Sequence, residues 1–347
     1  MNVLVTGGAG YLGSVLLPKL LARGHRVRVV DVGYFGLGHL RALRPTVDIS
    51  RRDLREIIAD PTLCQTLLEG CDCVIHLAAI SNDPSADLNP ELTEAVNFHT
   101  TQILARAARD RGIRFLFSSS CSVYGAAEGD IEEEEIVSPL TTYAVSKVKA
   151  EQALEELADG HWSPVILRNG TLFGYSPRMR FDLVVNIFSL HSTLYNELKI
   201  FADGQQWRPF LHVNDCARAF VLFAEHPTLS YRCYNIAHEN LRVADVAVLF
   251  QRLNPSLRVI YLTLPETDQR NYRVSTRRMQ EVGFRTRIDV GMGAEEMNDA
   301  IVSGLIPDPE SIYYRNAKWL KELAHIGAKG PREVMSLMET LAQIRLR

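Results

Sequence analysis

The stretch Thr6-Gly7-Gly8-Ala9-Gly10-Tyr11-Leu12-Gly13 decides how this chain folds. It follows directly on an apolar run, Val3-Leu4-Val5. It opens a segment in which Leu12, Leu16, Leu20 and Leu21 recur at helical spacing. A strand, a glycine turn and a helix in that order form a phosphate-binding corner for a dinucleotide. Each glycine has a task there. Gly7 permits the tight turn, Gly10 lets backbone amides approach a pyrophosphate, and Gly13 allows close helix–strand packing. Tyr11 and Leu12 begin the helix, whose N-terminus turns N–H groups toward negative charge.

Working outward, Asp31 ends a second strand-like run (26–30), 18 residues beyond Gly13. An acid at that point accepts hydrogen bonds from the adenosine ribose hydroxyls and repels a 2′-phosphate. Val32 and Gly33 supply no arginine, so NAD is expected rather than NADP. Asp53 and Leu54 are expected beside the adenine, with Asp48-Ile49 as a competing register. Further strand-like runs at 73–77, 115–118 and 165–167 alternate with helix-like stretches at 96–111 and 142–157. That alternation predicts an α/β fold, a Rossmann-type doubly wound parallel sheet with right-handed crossovers.

After about residue 170 the pattern loosens. A loop (174–180), a helix (181–190) and a short strand (210–213) follow. Then come a helix from Asn214 to about 225, capped by Asn214 or Asp215, and another at 243–253. These predict a smaller mixed α/β substrate-binding lobe. The expected division is 1–170 for the NAD-binding domain, 171–305 for the partly interleaved lobe, and 306–347 for a helical C-terminal extension. In that extension Trp319, Leu320, Leu323, Val334, Leu337, Met338 and Leu341 predict a helical pair packed on the body or on a second subunit.

Composition sets the outer limits. With 347 residues, 46% hydrophobic and 23% charged, the chain is an ordinary globular protein rather than a disordered or fibrous one. Its net charge of −3 gives no support for nucleic-acid binding. No stretch approaches the roughly 20 apolar residues of a membrane span, and no leader-like segment precedes the first strand. The six cysteines are scattered, and Cys71 and Cys73 have no second pair to complete a zinc site. No metal is expected, and a reduced cytoplasmic setting is. The acidic run 132–135 reads as a solvated face.

Two motifs carry chemistry. In Tyr143-Ala-Val-Ser-Lys147 the phenol and the ammonium share one helix face. The ammonium is expected to favour phenolate, which would let Tyr143 act as acid or base near neutral pH. The strand end Phe117-Ser118-Ser119-Ser120-Cys121-Ser122-Val123-Tyr124-Gly125 offers hydroxyls that can hydrogen-bond an oxygen alternating between alcohol and ketone. His76 and His212 read as core histidines, and His76 is expected to bond backbone.

Taken together, TGGAGYLG (6–13), Asp31, His76-Leu77-Ala78-Ala79, Val96-Asn97, SSSCSVYG (118–125), YAVSK (143–147) and RPFLHVND (208–215) resemble the extended short-chain dehydrogenase/reductase family. Within it, they resemble the nucleotide-sugar epimerase/dehydratase branch, over about residues 1–290. The resemblance implies tightly held NAD, a nucleoside-diphosphate sugar as substrate, and a homodimer. It implies Ser120, Tyr143 and Lys147 as the catalytic set, and Leu77, Ala78, Ala79, Asn97 and Ser118 as cofactor-lining positions. It implies Arg208 as a clamp on the substrate diphosphate, with guanidinium–phosphate geometry as its physical reason. One of Arg270 and Arg273 is expected to reach the same diphosphate. Ser81, Thr171, Arg178, Arg180, Asp182 and Asn186 fall where such lobes recognise sugar or base.

Departures from the branch narrow the chemistry. Its 4,6-dehydratases carry Asp-Glu directly after the catalytic hydroxyl, where Cys121 and Ser122 stand here. Its decarboxylating members carry Glu at the position of Ser122. Members that use a cysteine on carbon acids place it at Ser122. Cys121 is one residue early and points elsewhere on a period of two. Hydride exchange at a carbinol remains, most commonly as 4-epimerisation. Galactose-type enzymes place Asn where Thr171 stands, which points to another sugar. The competing readings are a reductase or dehydrogenase with net redox change, and a non-catalytic NAD-binding protein.

Overall fold

The computed structural model describes residues 1–263 and 269–327. At its centre is a seven-stranded sheet. The spatial order is Cys233–Ile236, Val165–Asn169, Arg114–Ser120, Cys73–His76, Asn2–Thr6, Arg26–Asp31, Val47–Arg51. Every neighbouring pair runs parallel. Strands covered on both faces read as continuous apolar runs, because alternate residues enter different cores. Val3 and Val5 join the core that holds helices Tyr11–Ala22 and Val213–Glu225. Leu4 joins the opposite core, with helices Thr100–Arg109 and Thr142–Leu157. Leu116 and its neighbours Phe115 and Phe117 divide in the same way. The strand order reverses between Asn2–Thr6 and Cys73–His76, and the crevice beyond their carboxyl ends is where such sheets bind ligands.

A smaller mixed layer flanks that crevice. Trp207–His212 lies between Glu239–Arg242, to which it is antiparallel, and Thr171–Phe173, to which it is parallel. Two further parallel pairs join Glu197–Phe201 to Arg258–Leu262 and Ala126–Ile131 to Asn271–Val274. Helices Val184–Tyr195, Val243–Leu253 and Val290–Val302 close over an apolar core that includes Phe173, Phe188, Phe210 and Phe250.

Two local expectations need correction. The helix expected from residue 181 begins at Val184, because Arg180 and Asp182 are held by each other and Phe181 N–H donates to Tyr314 O at 2.8 Å. The Val213–Glu225 helix is capped by His212, whose Nδ1 accepts from Asn214 N–H at 3.1 Å, rather than by Asn214 or Asp215. The Asp215 carboxylate instead receives the N–H groups of Arg287 and Ile288 at 2.6 and 2.9 Å. In the C-terminal extension Trp319 and Leu323 are buried in the main core, with Leu320 packed against it. Val334, Leu337, Met338 and Leu341 lie outside the described residues. No helix among the described residues is long and apolar enough to cross a membrane.

Candidate active site

A cleft of about 1380 Å³ opens at the switch in strand order. Pockets for one drug-sized ligand run to roughly 1,000 Å³, so this cleft has room for two ligands side by side. One wall carries Gly7, Gly10, Tyr11, Leu12, Gly13, Asp31, Asp53, Leu54, Leu77, Ala78, Ala79 and Ser118. The other side carries Ser81, Ser120, Tyr143, Thr171, Arg208 and Arg270. Asp48, the competing register for Asp53, lies in the outer strand and pairs with Arg28 across the surface.

The glycine turn is built for close approach. Gly7 has φ +70°, and a Cβ there would stand 2.6 Å from Ala78 N. At Gly13 a Cβ would stand 2.5 Å from Gly8 O, so the crowding is against the turn's own backbone. The helix that follows has no side-chain cap and no acid in its first turn. Its leading N–H groups therefore remain available to an anion in the cleft. Asp31 accepts from Ala9 N–H at 3.0 Å and from Gly33 N–H at 2.7 Å, and burial raises its carboxyl above the usual range. An uncapped helix end beside a fixed ribose-level carboxylate fits a dinucleotide.

Behind this wall a hydrogen-bonded chain sets the loop 77–80. Ala78 N–H meets Thr6 Oγ1 at 3.3 Å, Thr6 Oγ1 meets His76 Nδ1 at 2.6 Å, and His76 Nε2 meets Thr101 Oγ1 at 2.9 Å. Thr101 Oγ1 in turn donates to Asn97 O at 2.8 Å. His76 thus bonds hydroxyls, not the expected backbone, and burial holds it neutral by lowering it to about 3. Asn97 sits one layer behind the cleft rather than lining it. It is fully buried, accepts from Ile80 N–H at 2.8 Å, and donates to Ile80 O at 3.1 Å and Ser146 Oγ at 2.9 Å.

The chemical centre combines a strand end and a helix start. Ser120 ends the Arg114–Ser120 strand, and its hydroxyl accepts from Ser122 N–H at 3.2 Å and hydrogen-bonds Tyr143. Thr141 caps the Thr142–Leu157 helix at Ala144 N–H, which puts Tyr143 in the first turn and Lys147 one turn on. The expected lowering of the phenol by Lys147 does not follow from this geometry. Burial, with Asp83 adding to it, pushes Tyr143 up to about 12, against the Ser120 hydrogen bond and the charges of Arg180 and Arg270. The Lys147 ammonium stands 5.8 Å from the Tyr143 ring centre, donates to Ser118 O at 2.8 Å and is lowered by burial to about 7.

Two substrate-side expectations, Asn186 and Arg273, are corrected by placement, while Arg178 does line the cleft. Asn186 is fully buried and committed: it accepts from Gly174 N–H at 2.9 Å and donates to Tyr11 Oη at 3.1 Å and Arg180 O at 2.9 Å. Arg178 lines the cleft at the end where Asp31 stands, with its guanidinium 3.6 Å over the Phe35 ring and its charge acting on Asp31. Arg273 turns to a separate groove beside Trp207 and pairs with Asp130 at 3.1 Å. Arg270 is the arginine of that segment that lines the cleft, paired there with Asp83.

Sequence reasoning passed over Asn82 and Asp83. Asn82 caps the turn Asp83–Ala86, and Asp83 accepts from Thr141 and from Arg270 beside the phenol. The only local signal was the Asn-Asp-Pro start of a short helix. Cys121 follows the strand end at Ser120, but its Sγ contacts Arg168 O at 3.2 Å, and burial raises the thiol far above its usual range. Glu151, in the same region, is taken up by Arg168 at 2.7 Å and by Ser119.

The sequence pattern of the NAD dependent epimerase/dehydratase family matches residues 3–237. YtcB of Bacillus subtilis (strain 168), described as an uncharacterized UDP-glucose epimerase, is 34% identical over 266 residues, 73% of this chain and 82% of that protein. MoeE5, solved in complex with UDP-glucuronic acid and NAD, is 28% identical with a TM-score of 0.74, covering 88% of this chain and 100% of that one. A UDP-glucuronic acid 4-epimerase from Bacillus cereus, solved with UDP-glucuronic acid and NAD, is 26% identical with a TM-score of 0.72. It covers 87% of this chain and 99% of that one.

Proposed function

The chain belongs to the NAD dependent epimerase/dehydratase family, and from that premise we propose that it epimerises a nucleoside-diphosphate sugar at C4 through a transient keto sugar. The observation that carries this reading is the convergence of Ser120 and Tyr143 on one point of the cleft, with Lys147 behind them and, among the described residues, no unpaired carboxylic acid beside them. Where elimination would need an acid, Cys121 is buried on Arg168 O and Ser122 is a buried alcohol. Asp83, a carboxylate whose charge acts on the phenol, is occupied by Thr141 and Arg270.

Bound NAD would supply hydride acceptance from the carbinol carbon and hydride return to the opposite face of the ketone. Everything else falls to this chain. Tyr143 Oη holds the proton of the reacting hydroxyl. Ser120 hydrogen-bonds the same oxygen as it changes between alcohol and ketone. A phenol held near 12 is a proton donor at neutral pH, and it becomes a base once further positive charge stands beside it. Lys147 contributes from the neighbouring turn and fixes the strand end through Ser118 O. Arg208 lines the far side of the cleft, its backbone-anchored guanidinium touching Arg270 O, where a diphosphate would be gripped.

The test is proton NMR of a panel of nucleotide sugars incubated with purified protein and trace NAD. A new sugar isomer without accumulating NADH is the expected result, and it names the inverted carbon. Conversion only with stoichiometric NAD or NADH would overturn the reading in favour of a net redox enzyme. Release of water from the sugar would overturn it in favour of a dehydratase. The homodimer expected from the resemblance is part of the same proposal, checked by light scattering of the purified protein.

A further inference from the structure

The family pattern ends at residue 237, yet the chain returns to the cleft much later. Arg315, Asn316, Ala317 and Lys318 line the cleft at the start of the Asn316–Gly327 helix. Their contacts tie together parts of the wall that are otherwise separate. Asn316 is 3% exposed, and its Oδ1 accepts from Arg178 at 2.6 Å while its Nδ2 donates to Ser81 Oγ at 3.4 Å. Trp319 Nε1–H donates to Tyr34 O at 2.7 Å, and the Tyr313 hydroxyl donates to Phe35 O. Tyr314 O accepts Phe181 N–H at 2.8 Å. Tyr313, Tyr314 and Trp319 are buried in the main core, with the Tyr313 and Trp319 rings edge to face at 5.4 Å. None of these contacts reaches Tyr143.

We infer that residues 312–319 form a strap that retains the dinucleotide, joining the loop after Asp31 on one wall of the cleft to Ser81 on the other. The inference rests on the reading of this cleft as the NAD site. Release of a bound dinucleotide requires the two walls to part, and Asn316 and Trp319 hold them together. The strap also fixes Arg178, whose cation faces the cleft at the end where Asp31 stands. A cofactor that returns to its starting state in each turnover has no need to leave. A dissociable cosubstrate must leave every time, and a bonded strap across its exit would slow each cycle.

The test follows cofactor exchange in the full-length protein. Wild type and the variants Asn316→Ala and Trp319→Phe are loaded with NAD, desalted and challenged with excess isotope-labelled NAD. Bound label is read by mass spectrometry. Each variant deletes one or two hydrogen bonds without emptying the aromatic core, so exchange about fivefold faster than wild type is expected from the net worth of such bonds. Wild-type amides in 313–320 should also exchange with deuterium more slowly when NAD is bound. Exchange rates equal to wild type in both variants would overturn the strap, as would amide protection indifferent to NAD. A wild-type protein that takes up no NAD at any concentration would overturn the dinucleotide reading itself, and the strap with it.

Discussion

Replacing Lys147 by methionine should make the cofactor-free protein more stable and the enzyme inactive. The side chain is 2% exposed, with the Phe117 ring centre 4.7 Å from its Nζ and Ser118 O as its acceptor. Burial lowers its ammonium from 10.5 to about 7, with Glu151 opposing. Between those two values the unfolded chain binds the proton and the folded chain does not. Stability therefore rises with pH across that window, and the burden of the buried cation is full below pH 7. Each pH unit inside the window is worth about 1.4 kcal/mol. The folded-state lysine is half protonated at pH 7, so from pH 7 to pH 9 wild type should gain about 2 kcal/mol that the methionine variant does not. Methionine matches the unbranched stem and brings no charge, so packing changes little. The assay is urea unfolding of both proteins in half-unit pH steps, read as the difference between them, which cancels every other titrating group. A difference that stays flat from pH 7 to pH 9 would refute the account of Lys147 as a buried, strained cation. So would a variant less stable than wild type at pH 7.

Three further outcomes are expected. Tyr143→Phe should lower turnover by about 10²–10⁴-fold, the usual range for a lost acid–base group, while NAD stays bound as in wild type by absorbance after desalting. Gly13→Ala places a Cβ 2.5 Å from Gly8 O, and overpacking against backbone costs about 1–3 kcal/mol, measured by urea unfolding and as weaker NAD binding by calorimetry. Gly160→Ala, with nothing within 4 Å of the added carbon, is the matched control and should change neither. Asn97→Ala orphans the N–H and C=O of Ile80 and should destabilise by about 3 kcal/mol in thermal or urea unfolding, because buried groups without partners cost about 1–3 kcal/mol each.

What the sequence shows of this protein divides by contact range. The dinucleotide corner was legible because its strand, glycines and helix occupy twelve consecutive positions, Asn2 to Gly13, and each glycine answers a local backbone demand. The Tyr143–Lys147 pair was legible for the same reason: one helix turn separates them. The acid that adds to the raising of Tyr143 was not legible, because Asp83 is held beside the phenol by Thr141, 58 positions on, and by Arg270, 187 positions on. Asn186 carried the wrong role because its neighbours in sequence lie near the substrate lobe, whereas its side chain is consumed by Tyr11, Gly174 and Arg180. The 306–347 extension announced helices but not where they dock. Apolar spacing along a helix says which face is buried, not which distant loop it is buried against.

The hydroxyl–imidazole chain behind the cleft has only one workable direction. Thr101 spends its proton on Asn97 O, so it can only accept from His76, which places the imidazole proton on Nε2. Nδ1 must then accept from Thr6, and Thr6 Oγ1 is left to receive Ala78 N–H. Every arrow runs one way, from the wall that faces the nucleotide, through a neutral histidine, to the helix that carries Asn97. The ring acts as a one-way latch between the strand Asn2–Thr6 and the helix Thr100–Arg109. Reversing any member strands a buried proton or a buried lone pair, so the backbone at Ala78 is held by a circuit with a single permitted polarity rather than by the strength of any one bond.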